Sequence, residues 1–70
     1  MTKTMTLKEA RKTYPIGSTA RVVKTGAVGR VEDHHIANVA FIGLRTFVTI
    51  HLHGPAGFVR DFTTNEIEAA

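Results

Sequence analysis

The chain predicts a mainly β fold, a five-stranded barrel with one short N-terminal α-helix, in a single domain over residues 1–70. Three observations carry this. A helix start signal and helical spacing stop at Pro15, and period-two alternation takes over from Gly17. Glycines then punctuate the alternation at intervals short enough for hairpins. The helix is expected over about 6–14 and the barrel over about 17–69.

The helix comes first. Thr6 followed by Glu9 has capping-box spacing, in which the Thr hydroxyl takes the Glu9 amide and the Glu carboxylate takes the Thr6 amide. Leu7, Ala10 and Tyr14 recur on one face, while Lys8, Arg11 and Lys12 fall on the other. Tyr14-Pro15 ends it, because the residue before proline is pushed out of the α region. At about two turns it is too short to stand alone and must lie against something.

The strands follow. Ser18 to Lys24 alternates Ala20 and Val22 against Thr19 and Arg21, and the segment 25–29 supplies glycines for a tight turn and a close backbone approach. Gly29 to His35 begins a second strand around Val31. Thr46 to His53 is the clearest strand, with Val48, Ile50 and Leu52 on one face and Phe47, Thr49, His51 and His53 on the other. A turn is expected at Gly54-Pro55-Ala56-Gly57, then a strand over Phe58 to Phe62. In that strand Phe58, Arg60 and Phe62 share a face opposite Val59, and alternation leaves open which face is buried. A one-turn corner at 63–65 leads into a last short strand, Glu66 to Ala69, with Ile67 inward. Closing such a sheet removes edges that a small all-β protein has few other ways to hide.

Size and composition limit the function classes. A chain of 70 residues buries only about 60% of the surface its unfolded form exposes. There is no cysteine to reinforce so thin a core, and that absence fits a reducing cytosol. The start has no apolar run of signal-peptide length. Ile36 to Leu52 is broken by Asn38, Arg45, Thr46, Thr49 and His51, which argues against a membrane-spanning helix. A soluble, cytoplasmic protein with no membrane partner is expected. Nine Lys and Arg against six Asp and Glu leave a formal charge of +3, compatible with a polyanion partner and with plain solubility.

Two segments resemble a known pattern. Gly17-Ser18-x-Ala20-x-Val22, followed by Gly26-Ala27-Val28-Gly29-Arg30-Val31, is similar to the KOW motif, where alternating apolar residues run through a glycine loop into a Gly-x-Val strand. The close, Phe62 to Glu68, resembles the turn and short strand that end SH3-like barrels. The likeness covers about Gly17 to Ala69 and leaves out the helix. It implies an SH3-like barrel and a role in binding RNA, ribosomal components or transcription machinery. The same barrel is similar to small accessory subunits of photosynthetic and redox complexes, so fold alone does not decide function. Ala20 stands where the KOW pattern usually has Val or Ile, and the glycine loop lacks the lysines common in RNA-binding versions.

Lys8, Arg11 and Lys12 on the helix, with Arg21, Lys24 and Arg30 around the glycine loop, are the candidate nucleic-acid-binding residues. They form one footprint only if the helix packs beside that loop; otherwise they are solvated charges. Tyr14, Phe47 and Phe58 are the aromatics that could stack on bases, and each could equally be core.

His51-x-His53 places two imidazoles on one strand face, a chelating geometry. Simple antiparallel pairing sets His34 and His35 near Thr46, about 15–20 Å from the other pair, so no metal site is expected. No cofactor is implied either. Catalysis lacks a nucleophile, the acids do not converge, and a closed barrel of this size has no room for a pocket of ~300 Å³ in one protomer. No small-molecule substrate is therefore expected.

The segment 36–44 is the oddity. Between two strands of a hairpin polar turn residues are expected, yet Ile36, Val39, Phe41, Ile42 and Leu44 are apolar. Either the strands run long with a turn near Ile42-Gly43, or an insertion offers an apolar face to a partner. The expectation is a small non-enzymatic adaptor on nucleic acid or a nucleoprotein, acting through the basic helix and loop. The alternative is a protein-interaction or accessory subunit, or a homo-oligomer, using 36–44.

Overall fold

The computed structural model describes residues 5–54 and 57–70. Among them a helix, α1 (Leu7–Thr13), precedes five strands: β1 (Thr19–Val22), β2 (Val28–Val39), β3 (Gly43–Leu52), β4 (Val59–Thr63) and β5 (Ile67–Ala69). All pairings are antiparallel and make one sheet in the order β4-β3-β2-β1-β5. The fold is mainly β with one short helix. The sheet is not closed, because β4 and β5 at its two ends do not pair with each other. The turn expected at 54–57 runs through residues 55 and 56, which lie outside the described residues, as does the start of the chain.

Local chemistry sets α1. The Thr6 amide donates to Glu9 Oε1 at 3.0 Å, and the Glu9 amide donates to Thr6 Oγ1 at 3.2 Å, so the capping box forms in full. Ala10 and Tyr14 are buried, and the helix lies across β2 and β3. Three long-range bonds hold the helix and its ends in place. Thr46 Oγ1 donates to the Met5 carbonyl at 2.8 Å, and the Tyr14 hydroxyl donates to the Ile67 carbonyl at 3.1 Å. His34 Nε2 bonds the Tyr14 carbonyl; a carbonyl only accepts, so Nε2 carries the hydrogen.

Alternation then builds the core. Ala20, Val22, Val31, Val48, Ile50, Leu52, Phe62 and Ile67 are buried with Ala10 and Tyr14. On β4 the open question is resolved: Phe62 is buried, with the Arg60 guanidinium over its ring at 5.5 Å. Of the stacking candidates, Tyr14 is core, Phe47 is half-buried against His35, and Phe58 is exposed.

The glycine loop uses its glycines differently. Gly26 has φ +76° and donates to the Val22 carbonyl at 2.7 Å, the left-handed turn position that favours glycine. Gly29 is where backbones crowd. A Cβ there would meet the His51 carbonyl oxygen and Ile50 Cγ2, each at 2.6 Å.

The hairpin between β2 and β3 is longer than the strands expected from sequence. Pairing runs from Gly29↔Leu52 to Val39↔Gly43, and the chain turns over 40–42. Of the two alternatives, the strands run long. The register slips between Val31 and Asp33, so His34 faces Val48 and His35 faces Phe47. The two histidines thus lie near Thr46 as expected, one and two positions along β3 from it, and Ile36 faces Thr46 itself.

The edges are handled unequally. Leu52 donates to the Phe58 carbonyl at 2.9 Å, which sets the phase of the β3–β4 ladder. Phe58, Arg60 and Phe62 therefore turn their main-chain groups toward β3, and Val59, Asp61 and Thr63 turn theirs away. Glu66 covers Thr63: its carboxylate accepts from the Thr63 amide at 2.9 Å and hydroxyl at 2.8 Å, and its amide donates back at 3.0 Å. On β5 the Tyr14 hydroxyl covers Ile67. No described residue covers the outward groups of Val59 and Asp61.

Candidate functional site

On the β1 side the backbone bonds to β2 reach only as far as Val31, through Gly17 and Ser18, and β4 pairs with β3 only from Phe47 to His51. Beyond Thr46, whose hydroxyl holds the Met5 carbonyl, no described strand flanks β2 and β3, and they run on as a two-stranded arm ending at 40–42. Most of the sequence-predicted interface residues are exposed on that arm. Ile36 is 51% exposed, Ile42 56% and Leu44 67%, and Phe41 at the tip is fully exposed, while Val39 is half-buried.

Phe41 is also backbone-strained. Its φ is +66°, the single positive value at a non-glycine position among the described residues, in a turn closed by Ile42 donating to the Val39 carbonyl at 3.1 Å. A bulky side chain at positive φ is uncommon, and such positions cost about 1–3 kcal/mol. The hairpin thus holds a phenyl ring in water at a position suited to glycine. A two-stranded ribbon has little stability of its own, and here no described residue covers its apolar tip.

The cations do not gather into one footprint. The helix packs on β2 and β3 and is held at the level of His34 and Thr46, with only the Tyr14 hydroxyl at its C-terminal end reaching across to Ile67, whereas Lys24 lies past Val22 near the Val28 end of β2. From Val28 to His34 is on the order of 20 Å of strand. Lys8, Arg11 and Lys12 are exposed on the outward side of α1. Arg21 pairs with Glu68 at 2.8 Å and Arg30 with Glu32 at 3.1 Å, so these two already have carboxylate partners.

The histidines stay apart as well. His51 Nδ1 lies 3.7 Å from Glu32, His35 Nε2 lies 3.7 Å from Asp61, and His34 is buried on Tyr14. Among the described residues no three His, Asp or Glu side chains are placed to hold a metal ion. No helix among them is long and apolar enough to cross a membrane.

One expectation is corrected. A closed barrel would leave no pocket, but the open seam leaves a solvent-open cleft of about 530 Å³. It is lined by Val22, Val23, Lys24 and Thr25 from the end of β1 and the turn after it, and by Arg60, Phe62, Asn65 and Glu66 from β4 and the corner after it. Lys24 alone among these was named as a binding residue from sequence. Arg60 carried a weak signal, its shared face with Phe58 and Phe62, but nothing local says that this face opens into a seam.

Searches for similar family models, curated proteins and solved structures find no match to this chain, so its reading rests on the arm, the helix face and the cleft themselves.

Proposed function

We propose that this protein is a soluble, cytoplasmic, non-enzymatic docking module that attaches to a larger protein or nucleoprotein assembly through the β2–β3 arm. In this reading the sheet is SH3-like: β5 returns to β1 after a one-turn corner at Thr63–Glu66, resembling the close of such barrels. One observation carries the proposal, a fully exposed Phe41 held at positive φ on the tip of an arm with Ile42, Leu44 and Ile36 beside it. Strain that persists at an exposed aromatic points to use of that aromatic, and buried aromatic anchors dominate interface energetics.

A second reading has its own support. Lys8, Arg11 and Lys12 share the outward face of α1 and make no ion pair with any described residue, which suits a phosphate backbone. The paired Arg21 and Arg30 suit it less.

Affinity capture with the wild-type protein and two variants separates the two readings. Phe41→Gly removes the anchor and relieves the strain, so it should lose the captured assembly while gaining about 1 kcal/mol of stability. Triple replacement of Lys8, Arg11 and Lys12 by Glu should leave capture intact, as should nuclease. Capture that survives Phe41→Gly but fails on charge reversal or nuclease treatment would reject the arm and support the helix.

A further inference from the structure

We propose a second interaction site at the other end of the sheet: the β4 edge and the adjoining cleft bind an extended acidic peptide segment by strand addition. The arm lies at the Val39 end of β2, whereas Lys24 and Thr25 lie beyond its Val28 end. This site therefore stands or falls apart from the arm.

The edge selects a polypeptide. Val59 and Asp61 present outward N–H and C=O groups that no described residue takes up, while the neighbouring edge positions Thr63 and Ile67 are covered. An added strand satisfies such alternating donors and acceptors, and a nucleic acid does not. Val59 on this strand and Phe58 just before it are exposed apolar residues, which suits a covered edge better than a bare one.

The cleft selects acidity. A strand added along β4 would send alternate side chains toward Arg60, Phe62 and Lys24. Neither Lys24 nor Arg60 is in an ion pair among the described residues. Glu66, the carboxylate that lines the cleft, is committed to Thr63 through two hydrogen bonds. Two cations over an apolar floor of Val22, Val23 and Phe62 fit carboxylates alternating with apolar side chains.

The test is an NMR titration of the whole chain with an end-blocked alternating Glu-Val octapeptide. A Lys-Val octapeptide and a short oligodeoxythymidylate serve as competing probes. The expected result is shift changes at Val59, Arg60, Asp61 and Lys24. Affinity should fall on the order of tenfold or more in the Lys24→Glu, Arg60→Glu double variant. Val59→Pro removes an outward N–H without touching the β3 ladder, and should abolish binding. Because that variant could also disturb the strand, a Glu-Val peptide N-methylated at alternate amides provides the same check on unaltered protein and should fail to bind. Phe41→Gly should bind the acidic peptide as the wild type does. Equal binding of the Lys-Val or N-methylated peptide, no response at β4, or preferential seating of the oligonucleotide on the same residues would each overturn the proposal.

Discussion

Gly29 shows how much one absent methyl group carries. Its position at the start of β2 brings the backbone of His51 and the side chain of Ile50 within 2.6 Å of where a Cβ would stand. Neither can withdraw cheaply, since one is a ladder carbonyl and the other is the fully buried core of β3. Gly29→Ala should therefore destabilise the fold by about 1–3 kcal/mol, read as a lower urea midpoint at unchanged slope. Gly26→Ala would act differently, through its φ of +76° in open space. Both glycines were legible as a pair in the sequence. Which one answers to turn geometry and which to crowding depends on a strand two elements away. Phe41 is the opposite case: no pattern in the residues around it announces a positive φ at a phenylalanine.

Elements were legible where their signals are local. The capping box of α1 depends on residues three apart, and both of its bonds form. Thr6→Ala should cost about 1 kcal/mol, measured by thermal or chemical denaturation, and should leave the sheet registers unchanged. The inward sets Ala20–Val22 and Val48–Ile50–Leu52 were legible for the same reason, since period two is a property of one strand. Strand ends were less so. Sequence placed the second strand only as far as His35 and began the third at Thr46, whereas pairing runs on through Val39↔Gly43. Apolar residues were read there as a possible insertion because hairpin loops are usually polar. The arm keeps the ladder going past the buried core, so Ile36, Phe41, Ile42 and Leu44 remain exposed among the described residues.

For the molecule as a whole, Tyr14 ties helix to sheet. Its ring is core, its carbonyl meets His34, and its hydroxyl reaches Ile67 on β5. Burial, with a smaller contribution from the negative charge of Glu68, holds the phenol above its ordinary value of 10. The neutral phenol is thus favoured by folding, and the unfolded chain loses that proton first as pH rises. Stability from this group is complete below pH 10 and falls away as pH climbs from there through the raised folded value. Tyr14→Phe should lose about 0.5–1.5 kcal/mol at neutral pH with the hydrogen bond, and should flatten the alkaline limb of a stability-against-pH curve. The same long-range packing explains why the predicted basic footprint divides. The helix goes where Ala10, Tyr14 and Met5 find partners, against β2 and β3, and its lysines follow.

The residues alone determined what depends on near neighbours: a capped two-turn helix, period-two strands with identifiable inward sets, a glycine loop, and an apolar segment at 36–44 without an obvious place in a small core. Tertiary structure decided everything that depends on where one element stops against another. That includes the register slip at Val31–Asp33, the arm left unsupported beyond its neighbours, the separation of the helix cations from Lys24, and the seam between β4 and β5. The reason is physical. Capping and alternation follow from a few residues' geometry, whereas register and sheet closure are settled by competition among distant surfaces for the same limited core.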